Sequence, residues 1–94
     1  MNTEHATVIY SGCVQGVGFR FACRRLAMGF SVTGYVKNLP NGRVELAVEG
    51  DRPEIEEFLK AIEEGDLKPF IRQRTLEWKS ASGNWRDFHI AVGL

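Results

Sequence analysis

The sequence predicts an α+β fold, a mostly antiparallel sheet of four to five strands with two helices on one face. Three observations carry that expectation. Two segments, 19–30 and 55–62, repeat apolar residues at the spacing of a single helical face. The stretches around them alternate in polarity or are rich in β-branched and aromatic residues, as half-buried strands are. The order along the chain is strand-helix-strand-strand-helix-strand, with a short further strand at the end, so a hairpin sits between two helical connections.

The first strand is expected over Thr7–Cys13, where Thr7, Val8, Ile9 and Tyr10 suit a pleated surface. A glycine-studded turn, Gly12 to Gly18, leads into the first helix, whose buried stripe is Phe19, Ala22, Cys23, Leu26, Ala27 and Phe30. Arg20, Arg24 and Arg25 point elsewhere on that helix. Thr33–Asn38 reads as the second strand. Leu39-Pro40-Asn41-Gly42 is a turn, because Pro presets φ and Asn-Gly accepts positive φ. Val44, Leu46 and Val48 then alternate with Glu45, Ala47 and Glu49 in the clearest period-two pattern of the chain.

Asp51 is placed to cap the second helix, with Glu54 as its capping-box partner. Ile55, Phe58, Leu59 and Ile62 form its buried stripe, the glutamates Glu54, Glu56, Glu57, Glu63 and Glu64 its wet face, and Gly65 its end. Ile71–Lys79 is a fourth strand in which Arg74 shares a face with Leu76 and Trp78, as a snorkelling arginine at a sheet rim would. Ser80 to Asn84 is a loop, and Phe88–Val92 a short last strand. That order is the split βαβ, or ferredoxin-like α/β plait (βαββαβ).

Composition narrows the function classes. Ninety-four residues make one domain, expected over 1–94 with its core over about 7–92. Twelve Lys+Arg balance twelve Asp+Glu, so no broad electrostatic footprint for nucleic acid or anionic membrane is expected and any anion must be caught locally. No run approaches the ~18 apolar residues of a membrane span, and the first residues lack the order of a secretory signal. Cys13 and Cys23 are too few for a disulfide framework, and Cys23 lies on an apolar stripe. His5 and His89 have no partner ligand at metal-site spacing. The expectation is therefore a cytoplasmic monomer without metal or cofactor.

The stretch that carries chemistry is Gly12-Cys13-Val14-Gln15-Gly16-Val17-Gly18-Phe19-Arg20. It joins a strand to a helix N-terminus, where unpaired N–H groups and the positive end of the helix dipole favour an anion. Arg20, in the first helical turn, has a planar fork that fits two phosphate oxygens. The pattern is neither the dinucleotide fingerprint, which needs a third glycine, nor a P-loop, which needs Gly-Lys-Ser/Thr. From residues alone, a tight turn and an anion cradle both stay open.

Val14-Gln15-Gly16-Val17-Gly18-Phe19-Arg20, followed after seventeen residues by Asn38, resembles the signature of the acylphosphatase family. Thr33 to Gly42 is similar to that family's second strand and turn, and the likeness runs from about Thr7 to Val92. The resemblance implies metal-independent hydrolysis of a carboxyl-phosphate anhydride to carboxylate and inorganic phosphate. By the same resemblance Arg20 binds the phosphoryl group with the loop amides of Cys13, Val14, Gln15, Gly16, Val17, Gly18, Phe19 and Arg20, and Asn38 positions the attacking water. The implied partners are a small acyl phosphate as substrate and inorganic phosphate as product and competing ligand.

Two positions depart from the family pattern. Ser31 stands where glycine is usual, implying a strained helix exit, and Arg74 stands where an apolar residue is usual. Lys37, beside Asn38, reads as an attractor of the anion or as a solvated strand residue. The aromatic residues and His89 read as structural. The competing readings are a non-catalytic phosphate-binding or regulatory domain of this family, such as occurs within hydrogenase maturation proteins, and an RNA-recognition module of the same strand order. The length and the Arg20/Asn38 pair favour the free-standing enzyme. The strand Arg43–Glu49 lacks the aromatics that RNA stacking needs.

Overall fold

The computed structural model describes residues 3–92. β1 (Thr3–Gly12), α1 (Phe19–Ala27), β2 (Thr33–Asn38), β3 (Val44–Asp51), α2 (Arg52–Glu64), a 3₁₀ turn (Lys68–Phe70), β4 (Ile71–Ser80) and β5 (Phe88–Ile90) follow in that order. They build one five-stranded sheet in the order β4-β1-β3-β2-β5. Every pairing is antiparallel except β2 with β5, which is parallel. The expected α+β plait is the fold that forms.

Strand periodicity divides the side chains between two faces. Ala6, Val8 and Tyr10 of β1, Val36 of β2, and Val44, Leu46 and Val48 of β3 are fully buried beneath the helices. They meet Phe19, Cys23 and Ala27 of α1 and Ile55, Phe58, Leu59 and Ile62 of α2 in one core. Full burial of each large apolar side chain contributes about 1.5–3 kcal/mol. Gly34 of β2 has no alternative, since a Cβ there would lie 1.9 Å from the Ala47 carbonyl oxygen at a φ of +137°.

The helix-free face is covered in part by the segment between β4 and β5. Glu49 of β3 points to that face and is nevertheless buried. Its carboxylate accepts from the Ser82 N–H (2.8 Å), the Ser82 hydroxyl (2.9 Å), the Gly83 N–H (2.9 Å) and His5 Nδ1 (2.7 Å). A carboxylate only accepts, so Nδ1 of His5 carries its hydrogen. Burial works against ionisation of Glu49, but these four hydrogen bonds outweigh it and draw the pKa down to about 2. Trp85 then closes over His5, with ring centroids 5.8 Å apart, and meets Tyr35 edge-on at 5.6 Å.

Several local expectations are corrected. β1 begins at Thr3 rather than Thr7, because His5 and Glu49 face one another in register and satisfy each other. The capping box at Asp51 does not form. Asp51 makes no side-chain cap, and Glu54 accepts from the Ser31 N–H at 2.7 Å instead. That contact fixes the exit from α1 without strain, since no residue other than glycine has positive φ among the described residues. Helix α1 ends at Ala27, not Phe30; tighter turns follow, with Gly29 donating to Leu26 and Phe30 to Ala27. Glu63 is not part of a wet face. It accepts from the Tyr10 hydroxyl (2.8 Å) and from Arg74 Nη1 (2.9 Å), so Arg74 is paired on the helix-covered side of the edge strand.

Candidate active site

The sheet registers place the two motifs at one end of the molecule. Tyr10 of β1 faces Val44 of β3, and Val44 faces Asn38 of β2. β1 and β2 therefore run in the same direction on either side of β3, with their C-terminal ends about 10 Å apart by strand spacing. The loop leaving β1 and the last residue of β2 lie at that shared end. Asn38 is two residues from Val36 and so projects to the helix-covered face, the side on which α1 begins.

The loop owes its path to glycine. Gly16 and Gly18 both take left-handed backbone, with φ of +79° and +78°. A Cβ on either would touch nothing within 4 Å, so handedness rather than crowding demands glycine there. Gly18 is also the N-cap of α1, and it offers no side chain to the first helical N–H groups. No acidic residue stands in the first turn. Among the described residues, the N–H groups of Val14 to Phe19 reach no main-chain carbonyl as loop or cap bonds. Successive free donors at the positive end of a helix favour a bound anion.

Cys13 differs from the rest of the loop. Its N–H donates to the Phe70 carbonyl at 3.0 Å, which ties the loop base to the 3₁₀ turn just before β4 and removes that amide from the free set. Its thiol is exposed and unpaired, whereas that of Cys23 is buried and pushed up to about 12 by desolvation. Arg20 is half-buried in the first turn of α1, and its guanidinium forms no ion pair among the described residues.

Gln15 does more than line the loop. Its Nε2 donates to the carbonyls of Leu39 (2.8 Å) and Arg43 (2.9 Å), on either side of the β2–β3 turn. The Arg43 carbonyl also accepts from the Leu39 N–H at 2.8 Å, so the turn and the loop are clasped together next to Asn38. No sequence period marks such a contact; only two glutamine protons meeting two carbonyls across 24 and 28 residues reveal it.

The Asn38 Oδ1 is buried and has no hydrogen-bond partner. An unsatisfied buried acceptor costs about 1–3 kcal/mol, and such atoms concentrate where a ligand or water supplies the missing bond. Lys37, by contrast, faces the helix-free side, 3.5 Å from Glu45 and over the Tyr35 ring, away from Asn38. His89 sits beside Asp87 at 3.1 Å on the surface, and the remaining aromatics, Phe21 excepted, pack in or against the core or under Trp85.

A family model described as acylphosphatase matches residues 6–90. The chain is 41% identical over 85 residues to an acylphosphatase of Archaeoglobus fulgidus, covering 89% of this chain and 93% of that one. It is 39% identical over 83 residues to one from Dehalococcoides mccartyi, covering 87% and 91%. In structure it is similar to an acylphosphatase from Bacillus subtilis, with a TM-score of 0.86, 28% identity, and coverage of 94% and 98%. No helix among the described residues is long and apolar enough to cross a membrane. With the whole domain matched in sequence and in fold, this chain belongs to the acylphosphatase family, hydrolases that act on acyl phosphates.

Proposed function

We propose that the amides of Val14 to Arg20 and the Arg20 guanidinium hold the phosphoryl group of an acyl phosphate, while the Asn38 carboxamide oxygen aligns the attacking water. The observation that carries this reading is the orphaned Asn38 oxygen at the same sheet end as an unpaired arginine and a glycine loop. Cys13 contributes shape rather than a donor, because its N–H is already given to Phe70.

The chemistry follows from those parts. Water attacks phosphorus in line with the departing carboxylate, the P–O bond to the acyl group breaks, and carboxylate and inorganic phosphate result. A carboxylate is a good leaving group, so no strong general acid is required. Positioning and stabilisation of charge on the equatorial oxygens do most of the work. The amides and Arg20 are preorganised donors, each worth about 10²–10³ in rate. Asn38 orients water without ionising, and the phosphate itself or solvent takes the proton. Free of metal, cofactor and nucleic acid, the protein acts as a single-domain cytoplasmic monomer in this proposal.

The test is steady-state hydrolysis of benzoyl phosphate with EDTA present. Arg20→Lys is expected to lose at least about 10²-fold in kcat/KM, because a point charge cannot reproduce a two-pronged contact. Asn38→Ala is expected to lower kcat with little change in inhibition by inorganic phosphate. Near-normal turnover of Arg20→Lys would remove its role, and parallel loss of phosphate affinity in Asn38→Ala would refute the division between the two residues. A wild type that binds phosphate and hydrolyses nothing would establish the binding-domain reading instead.

A further inference from the structure

Phe21 is the one phenylalanine of six that the core does not claim. Phe19 and Phe58 are buried, and Phe30, Phe70 and Phe88 pack against the core, whereas Phe21 is 66% exposed. It forms no aromatic pair among the described residues. Its position is what distinguishes it from a stray surface residue. It occupies the first turn of α1, next to Arg20, and helical side chains lean toward the helix N-terminus, here toward the glycine loop. Val17, on the loop itself, is the other large apolar side chain exposed beside the cradle.

In-line displacement decides which part of a substrate meets them. The attacking water and the leaving carboxylate lie on opposite sides of phosphorus. Asn38 projects beneath the helices, and its oxygen is buried, so water approaches from the sheet side. The acyl group, one bridging oxygen from phosphorus, must then leave toward solvent, to which Val17 and Phe21 are exposed. We infer that Phe21, with Val17, forms an apolar rim that receives the acyl group and makes this enzyme favour acyl phosphates with bulky apolar or aromatic acyl parts over acetyl phosphate. The inference rests on the roles proposed above for the loop, Arg20 and Asn38, and it adds the substrate class. Acetyl phosphate offers one methyl group to the rim; a phenyl ring covers much of the exposed Phe21 face. Discrimination of this kind by apolar contact is about 10-fold, since a single methylene is worth 10- to 200-fold only in a closed pocket.

The experiment compares wild type, Phe21→Ser and Phe21→Leu in hydrolysis of benzoyl and acetyl phosphate. It also measures calorimetric binding of their non-hydrolysable counterparts, phenacylphosphonate and acetonylphosphonate, with inorganic phosphate as reference. Phe21→Ser is expected to raise KM for benzoyl phosphate and Kd for phenacylphosphonate by about 5- to 10-fold. Acetyl phosphate, acetonylphosphonate and inorganic phosphate should change by less than about 2-fold, and Phe21→Leu should recover most of the loss. Equal effects on both members of each pair, or none on the aromatic members, would overturn the inference. So would a change confined to self-association, which would mark Phe21 as a contact between copies of the chain. The binding arm separates this from the reading beneath it: if Arg20→Lys binds all three ligands normally, the cradle assignment fails whatever Phe21 does.

Discussion

Gln15 shows how one side chain can couple two parts of a site that touch no common ligand. Its amide has two hydrogens and meets two carbonyls, those of Leu39 and Arg43. Removal in Gln15→Ala should leave the loop unclasped from the turn next to Asn38, at a cost of about 1–2 kcal/mol in stability. Activity should fall roughly 10-fold, a milder loss than for Arg20→Lys. Gln15→Glu should be worse on both counts, because it sets a carboxylate against two acceptors where the wild type has a donor. Kinetics and urea unfolding on the two variants check the order; a Glu variant as good as Ala would show that the contact carries nothing. The candidacy of Arg20 and Asn38 is legible in the sequence through motif and spacing. Gln15 was legible as a loop residue only, since its side-chain role depends on a turn 24 residues away.

Elements are most legible in the sequence where one face is plainly apolar. The alternation of β3 and the stripe of α2 mark Val44, Leu46, Val48, Ile55, Phe58, Leu59 and Ile62, and all of these are buried. Polar groups that satisfy one another over long distances leave no such pattern in the sequence. Glu54 serves Ser31 and not Asp51, and Glu63 serves Tyr10 and Arg74. The Tyr10 hydroxyl is held well above its ordinary pKa, first by burial and then by the adjacent Glu63 charge.

The latch at Glu49 has a definite pH signature. Its pKa falls from 4.5 to about 2 in the folded protein, so the folded state favours the ionised form. That stabilisation is fully present above the unfolded value and is lost as pH falls through the folded one. The difference in unfolding free energy between wild type and Glu49→Gln should therefore be constant from neutral pH down to about 5, then shrink toward pH 2. Denaturant titrations at pH 7, 4 and 2 check it. A difference that grows on acidification would contradict the hydrogen bonds assigned to this carboxylate.

For the molecule as a whole, the two thiols report on a single packed core. Cys13 is exposed at the loop base, while Cys23 is fully buried in α1 with its thiol pushed up to about 12. Native protein should therefore react with a chromogenic disulfide reagent at one thiol within minutes, and at the second only when the fold opens. Two fast thiols, or none, would contradict this arrangement.

The strand order has a consequence for how the site comes into being. Only β2 and β3 pair as neighbours in sequence; Glu4 of β1 finds Ser80 of β4 across nearly the full described length. Each distant pairing closes a long loop before it is rewarded, so refolding on the order of milliseconds to seconds is expected rather than microseconds. The amide at the base of the glycine loop is held by Phe70, just before β4. Catalytic competence should consequently return in step with the slowest assembly of the sheet, and stopped-flow fluorescence and regained turnover should share one rate constant.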